Sequence, residues 1–212
     1  MLFQKFKTTL IVKFIYRKMR NILVLMAHPK LEHSKIISRL LGAINDLENV
    51  QVIDLYERYP DFNIDVQHEQ EMLITADIII WLHPLYWYAA PPLLKQWIDL
   101  VLEYNWAYGK KGVYLKGKYI FNAISTGGSV EAYSDKGHNG FPLQNFLLPY
   151  KQTAGLCNMK YLPPFQVAGT YNISPVELAR EANNFKKLIE YMSESQDLND
   201  LENLEFLNHF NR

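Results

Sequence analysis

Short apolar runs alternate with longer amphipathic segments along most of this 212-residue chain. The runs have the length and composition of buried strands, and the longer segments repeat apolar residues with the period of a helix. The pattern predicts strands at residues 22–26, 50–55, 77–82, 118–125 and 165–167. It predicts helices at residues 35–47, 68–75, 92–102 and 142–156 (bent near Pro149), and a last helix that is capped by Ser174 and runs to about residue 192.

Strands that alternate with helices form βαβ units, in which successive strands lie parallel and the crossovers are right-handed. We therefore predict an α/β fold: a doubly wound, five-stranded parallel sheet with helices on both faces. Open sheets of this kind bind ligands along the edge where the strands end. The loops after the first, third and fourth predicted strands are consequently the places to search for chemistry.

Composition narrows the possible functions. The chain is 49% hydrophobic and has zero formal net charge with a pI near 7.0, which gives no indication of nucleic-acid binding. Its single cysteine, Cys157, excludes an internal disulfide and a cysteine-based metal cluster, and no metal site is expected. These features favour a reducing, cytoplasmic location, with a peripheral position at the inner face of the cell membrane as the alternative.

Charge divides the chain into three parts. Residues 1–20 form an extension with six basic and no acidic side chains, which is either a surface-binding segment or the product of an upstream start codon. Residues 21–193 form the predicted domain. Residues 194–212 form a tail with five acidic side chains against Arg212, and its leucines suit either a loose surface helix or a partner.

The first loop combines His28, His33 and Ser34 just before a helix. It contains no glycine, so neither common nucleotide-binding loop pattern is present. The free N–H groups and the dipole at a helix amino end favour an anion, and a serine hydroxyl and an imidazole can add donors. A plain helix N-cap remains the alternative interpretation.

The second loop, residues 81–92, reads WLHPLYWYAAPP. Flat rings on a rigid loop at a strand's carboxyl end suit a planar aromatic ligand, although such rings also build cores. We expect Trp81, Pro91 and Pro92 to hold this loop in shape. The third loop, Ser125-Thr126-Gly127-Gly128, allows a flat ligand to approach the backbone closely, or forms a simple turn.

Several motifs together carry a resemblance: AHPKLEHS, YPDFNID, HPLYWYAAPPLLKQWID, WAYG, and STGG followed by a Tyr and a His. They resemble the flavodoxin-like NAD(P)H:quinone oxidoreductase family over residues 21–192. Within that family the chain is most similar to the ancillary flavoproteins of glutathione-gated potassium-efflux systems and to general-stress and drug-modulator quinone reductases.

The resemblance implies a bound flavin, FMN in preference to FAD, because the chain has no large domain after the core and the subgroup uses FMN. It implies that the flavin phosphate is held by His28, Ser34, Lys35, Ile36 and Ile37. The flavin ring would lie against Leu85, Tyr86, Trp87 and Tyr88. The polar edge of the ring would bond to Ser125, Thr126, Gly127 and Gly128.

The resemblance also implies an activity. NAD(P)H would reduce the flavin and a quinone would reoxidise it, in a ping-pong cycle of two-electron hydride transfers. Tyr133 and His138 match the family's catalytic pair in order, although their spacing is one residue shorter than in the animal enzymes. A homodimer is implied, with the aromatic loop at residues 104–108 at its interface.

Two other functions compete with this one. The first is a regulatory flavoprotein that binds a potassium-efflux antiporter and has secondary reductase activity at most. The second is an electron-carrying flavodoxin. A carrier is usually strongly acidic, whereas residues 21–193 are nearly neutral, so this function fits poorly.

Overall fold

A computed structural model describes residues 19–210, and all statements below concern that part of the chain. Its strands are β1 Ile22–Met26, β2 Val50–Asp54, β3 Ile78–Pro84, β4 Tyr119–Ser125, β5 Lys160–Tyr161 and β6 Phe165–Val167. Its helices are α1 Lys35–Ile44, α2 Leu55–Arg58, α3 Val66–Thr75, α4 Pro92–Val101, α5 Leu143–Phe146, α6 Leu148–Leu156, α7 Pro175–Glu194 and α8 Asn199–Glu202. Short 3-10 turns occur at Leu31–His33 and Leu207–His209.

The strands form one parallel sheet in the order β2-β1-β3-β4, with β5 and β6 both paired to β4. β5 pairs with the start of β4 and β6 with its end, so the two share the fifth position. Pro163 and Pro164 lie between them, and proline has no N–H to donate to a neighbouring strand. The predicted five-stranded, doubly wound sheet is confirmed, and its fifth strand is interrupted.

Two apolar cores lie on opposite faces of the sheet. Alternate residues of a strand point to opposite faces, so Leu23 and Leu25 of β1 pack with Trp97 of α4 in one core. Val24 of β1 packs with Phe185 of α7 in the other. This arrangement confirms the prediction of helices on both faces.

Several observed elements differ in their bounds from the predicted ones, and three of these differences bear on the site. Residue 55 was predicted to end the second strand, yet Leu55 begins α2, because the Asp54 carboxylate accepts the N–H groups of Tyr56 and Glu57 as a helix cap. The helix predicted at residues 142–156 is divided into α5 and α6. β3 extends two residues beyond its predicted end to Pro84, still paired with Ser125 of β4.

A buried carboxylate ties α3 to α4. Glu69 is fully buried, and it accepts hydrogen bonds from the Tyr59 hydroxyl at 2.7 Å and the Trp97 indole N–H at 2.8 Å. Arg58 lies 3.3 Å from the same carboxylate. Because α4 begins directly after the aromatic loop, these bonds help to fix the far side of that loop.

The segment that follows α7 packs into the domain. Leu198, Leu201 and Leu207 are almost fully buried, in contact with the core that contains α7. The apolar core therefore continues past the boundary that charge suggested at residue 193, and these leucines do not lie on a loose surface helix.

The described part of the basic extension, residues 19 and 20, contacts the end of α7. Residues 1–18 lie outside the described part of the chain, but Arg20 donates to the carbonyl oxygens of Met192, Ser195 and Gln196 where α7 ends. A cation is favourable at that end of a helix. Between residues 19 and 210, no helix has the length and apolarity needed to cross a membrane.

Candidate functional site

A cavity of about 930 Å³ opens at the carboxyl edge of the sheet, between the loops that follow β1, β3 and β4. Most of the predicted site residues line it. They are His28, Ser34, Lys35, Ile36, Leu85, Tyr86, Trp87, Tyr88, Ser125, Gly127, Gly128, Tyr133 and His138. Cavities of this size hold cofactor-sized ligands.

The amino end of α1 forms one end of the cavity. The Ser34 side chain caps the helix by accepting the N–H of Ile37 at 3.2 Å. Ile37 is fully buried and does not line the cavity, unlike Lys35 and Ile36. The first N–H groups of a helix have no acceptor in a preceding turn, so this end can receive an anion.

His28 connects this end to the aromatic loop. Burial lowers the pKa of His28, although the carboxylates of Glu32 and Asp54 oppose the shift, so the ring is neutral at pH 7. Its Nδ1 accepts the N–H of Lys30 at 3.1 Å, which places the proton on Nε2. Nε2 then donates to the Tyr86 hydroxyl oxygen at 3.2 Å, and the Tyr86 proton remains able to bond to a ligand.

The aromatic loop turns back on itself at Tyr86 to Ala89, which exchange two backbone hydrogen bonds. Its central residues, Trp87 and Tyr88, have φ of 47° and 64°, the left-handed conformation that a type I′ turn requires. Each non-glycine residue in that conformation costs about 1–2 kcal/mol. Nevertheless, the Trp87 side chain is 93% exposed, so burial of the ring does not offset the strain.

Partners on other elements hold the loop. Tyr88 stacks on Phe146 of α5 at 5.0 Å, and its hydroxyl donates to the Asn139 side chain. The Tyr150 hydroxyl accepts the N–H of Ala90, and the Tyr150 ring packs against buried Trp81. Trp81 therefore lies behind the loop, and Tyr86, Trp87 and Tyr88 line the cavity; that Trp81 holds the loop in shape remains a prediction.

Beneath the loop runs a buried chain of hydrogen bonds. Tyr161 donates its hydroxyl proton to Asn122 at 2.6 Å, and the Asn122 amide donates to Nε2 of His83 at 2.9 Å. Nδ1 of His83 donates to the carbonyl oxygen of Pro84, a residue that lines the cavity. Burial lowers the pKa of His83 to about 4, so the ring stays neutral and every donor has an acceptor.

The third loop presents its glycines to the cavity, but not Thr126. The Thr126 side chain is 1% exposed, its hydroxyl donates to the Gly128 carbonyl, and its N–H donates to Val167. Thr126 thus shapes the loop, while Ser125, Gly127 and Gly128 form the wall. The role predicted for Thr126 as a direct contact has no support in this geometry.

Tyr133 and His138 lie at the rim. Tyr133 packs edge-on against Phe146, and burial raises the pKa of its hydroxyl, so it remains a proton donor at neutral pH. His138 is exposed and lines the same cavity. The structure brings both to the cavity, and their catalytic role remains a prediction.

His33, named with the first loop, also lines the cavity, and six further lining residues were not predicted from the sequence: Lys30, Pro84, Ala132, Asn139, Thr170 and Tyr171. Thr170 and Tyr171 follow β6, the fifth strand position, so their loop reaches the same edge. The Tyr171 ring lies over Gly127: a Cβ there would come within 2.7 Å of it. The signal for this loop in the sequence is its place after the fifth strand, because the carboxyl ends of parallel strands lie at one edge of the sheet.

The cavity suits a flavin. One end offers helix N–H groups with Lys30 and Lys35 for a phosphate, and the middle offers aromatic rings for a flat ring system. The glycine loop leaves room for close backbone approach. Within residues 19–210, no group of three or more His, Cys, Asp or Glu side chains could hold a metal ion.

This sheet order and this edge define a flavodoxin-like α/β protein with a ligand site at the point where the strand order reverses. The family model described as "Flavodoxin-like fold" matches residues 20–189, and the chain belongs to that family.

Individual proteins agree with this assignment. The glutathione-regulated potassium-efflux system ancillary protein KefF of Klebsiella aerogenes is 41% identical over 177 residues, which cover 83% of this chain and 99% of that protein. General stress protein 14 of Treponema denticola, solved in complex with FMN, has a TM-score of 0.78 and 36% identity over 81% of this chain and 99% of that one. An NADPH-quinone reductase of P. pentosaceus has a TM-score of 0.74 and 29% identity over 84% and 99%. The resemblance read from the motifs is confirmed.

We predict that His83 makes stability depend on pH. Its folded-state pKa of about 4 lies below the usual 6.5, so its contribution is complete above about pH 6.5 and is lost as pH falls toward 4. The loss should reach about 2–3 kcal/mol. Urea unfolding at pH 7, 6 and 5 should show this loss in the wild type and a smaller one in His83→Gln.

His68→Gln, an exposed histidine substitution on α3, is the control and should keep the wild-type pH dependence. If His83→Gln also keeps it, His83 is not the buried neutral group described above.

We also predict that the turn at Trp87 is strained. Trp87→Asn should be more stable than Trp87→Ala by about 0.5–1 kcal/mol, because asparagine tolerates the left-handed conformation and alanine does not. Urea unfolding measures the difference. The same pair of substitutions at Tyr171, which is exposed and has no positive φ, should differ less. If the Asn and Ala variants differ in stability by the same amount at Trp87 and at Tyr171, the turn at Trp87 is not strained.

Proposed function

We propose that this protein is an FMN-dependent oxidoreductase that uses NAD(P)H to reduce quinones by two-electron transfer. The observation that carries the proposal is the convergence of a helix amino end, an aromatic turn and a two-glycine loop on one cavity. Its relatives support it, since one similar structure is an FMN complex and another is an NADPH-quinone reductase.

At the end of the cavity that would bind the phosphate, each residue has a distinct task. Lys35 and Ile36 would donate their N–H groups to the flavin phosphate, while Ser34 orders the helix end by capping Ile37. The Tyr86 hydroxyl proton, left available by the neutral ring of His28, adds a donor along the wall. Ile37 would then act through the helix cap and not through direct contact.

At the reactive end, the flavin supplies hydride acceptance from NAD(P)H and hydride donation to a quinone. The N–H groups of Gly127 and Gly128 would bond to the polar edge of the ring. Tyr133 keeps its proton at neutral pH and can donate it where negative charge builds on that edge. His138, on the same rim, would serve as the second proton donor.

The exposed rings at the rim leave one face of the cavity open. Trp87 and Tyr171 are 93% and 88% exposed, and a nicotinamide and a quinone could stack there in turn. This alternation on a single ring face is what a ping-pong cycle requires.

FMN is preferred to FAD because a similar structure, general stress protein 14, is a complex with FMN. We also propose a homodimer. Tyr104 is 62% exposed and Val113 58% exposed, and apolar surface of this kind is typical of an interface. The aromatic loop at residues 104–108 would lie in it.

A second candidate function is favoured by the relatives that carry the name of an ancillary protein of a potassium-efflux system. In that role the protein would bind the cytoplasmic side of an antiporter and activate it, with the same flavin site. The two functions are compatible, because both require the cavity to be filled.

For the enzyme, we predict that the purified protein binds FMN and oxidises NADH or NADPH with menadione as acceptor. Mass spectrometry of released cofactor distinguishes FMN from FAD. Tyr133→Phe should lower kcat about 10- to 100-fold by removing a proton donor, with little change in FMN affinity. Phe141→Ala, an exposed ring nearby that does not line the cavity, is the control. A protein that takes up no flavin would refute the proposal.

For the regulatory function, we predict that the FMN-loaded protein co-purifies with a potassium-efflux antiporter and raises its potassium flux in proteoliposomes. Tyr133→Phe should preserve this effect while turnover falls, because binding needs the filled cavity and not the chemistry. No flux change with wild-type protein would exclude this role for the antiporter tested.

A further inference from the structure

The C-terminal segment, residues 198–210, completes the outer edge of β6. The N–H and C=O of Gln166 point away from β4, on the open edge of that strand. The Asn208 side chain meets both: its oxygen accepts the Gln166 N–H at 2.8 Å and its amide donates to the Gln166 carbonyl at 3.0 Å. A side-chain amide thereby takes the place of a neighbouring strand.

The orientation of the Asn208 amide is fixed. Its Nδ2 also donates to the Glu181 carboxylate of α7 at 2.8 Å, so the oxygen must be the atom that faces the Gln166 N–H. The adjacent Leu207 N–H donates to Pro164, just before β6. Leu207 itself is 1% exposed, which anchors the segment against the core.

From Gln166 the bonds continue to the cavity. The Gln166 side-chain amide donates to the Thr126 hydroxyl at 3.0 Å, and that hydroxyl donates to the Gly128 carbonyl at 3.0 Å. The Gly128 carbonyl also accepts the N–H of Gly169. Both Gly128 and the neighbouring Thr170 line the cavity.

In this series of hydrogen bonds, the donor and the acceptor of each bond are fixed. The Thr126 hydroxyl has a single proton, and because Gln166 supplies a proton to its oxygen, its own proton is committed to Gly128. Thr126 is 1% exposed and Gln166 6% exposed, so water does not readily replace either partner. Buried networks of this kind specify one arrangement of the backbone they hold.

The family model ends at residue 189, before this segment begins. We propose that residues 198–210 position the glycine loop of the cavity through Asn208, and that Gln166 and Thr126 are positioning residues for Gly128. The segment would thus set the placement of the wall that contacts the ligand, in addition to covering β6. A test of this proposal by flavin binding rests on the proposed function, whereas the hydrogen bonds of Asn208, Gln166 and Thr126 do not depend on it.

Amide hydrogen exchange of the full-length protein tests this without any ligand. Asn208→Ala should expose the Gln166 N–H and also speed exchange at Gly169 and Thr170, about fivefold, because their acceptors in the glycine loop become less fixed. Gln166→Glu should speed exchange at Gly169 and Thr170 by another route, because a carboxylate would take the Thr126 proton away from Gly128. Asn203→Ala, an exposed asparagine of the same segment, is the matched control and should change none of these rates.

If only the Gln166 N–H exchanges faster in Asn208→Ala, the segment merely covers the strand edge and the proposal is wrong. An equal rise at the β1 amides would indicate general destabilisation and would also count against it. Should one variant fail to fold, the other still decides, since both act on the same Gly128 carbonyl.

The second measurement uses FMN. Both variants should bind it about 3- to 10-fold more weakly, and at saturating FMN the visible absorption of the bound flavin should shift, since the glycine loop would meet the ring differently. A structural role alone would lower the melting temperature and leave that spectrum unchanged. If wild-type protein binds no FMN, the proposed function fails, while the exchange result still decides the role of the segment.

Discussion

The parallel pairing of β1 with both β2 and β3 is the constraint on which the rest of the structure depends. Met26, Asp54 and Leu82 lie side by side across these three strands, so the segments that follow them emerge at the same edge. The chain crosses over the sheet after β2, and the loops after β1 and β3 therefore flank a crevice. Without that register, Nε2 of His28 and the hydroxyl oxygen of Tyr86 would not lie 3.2 Å apart.

The same constraint explains how much the sequence could predict. Strand periodicity and the alternation of strands with helices are enough to predict a parallel sheet, and the sheet requires its loops to converge. What they do not predict is the direction of individual side chains. Thr126 and Ile37 stand within correctly chosen segments, but the Thr126 hydroxyl bonds to the Gly128 carbonyl and the Ile37 side chain is buried in the core. The Thr126 bond joins residues two positions apart, and the sequence pattern does not predict it.

Long-range packing explains the other differences. The strand before Tyr171, β6, was predicted with its observed bounds, but only the loops after the first, third and fourth strands were taken as candidate ligand loops. The leucines after residue 193 looked exposed because acidic residues separate them. In the structure the acids face solvent on short turns, while Leu198, Leu201 and Leu207 occupy the groove beside α7. Sequence spacing of three is compatible with either arrangement, and the available apolar groove decides between them.

The aromatic turn at residues 86–89 is strained, and the hydrogen bonds and ring contacts around it hold it in that conformation. A turn with two left-handed aromatic residues is costly, so the surroundings must over-determine it. Tyr150 fixes the backbone at Ala90, Phe146 holds the Tyr88 ring, and His83 holds the Pro84 carbonyl. Since Trp87 gains almost no burial in return, the strain has no structural benefit within the described chain. A ligand against the cavity wall, or a second protein over the exposed ring, is the kind of partner that would use a side chain held in this way.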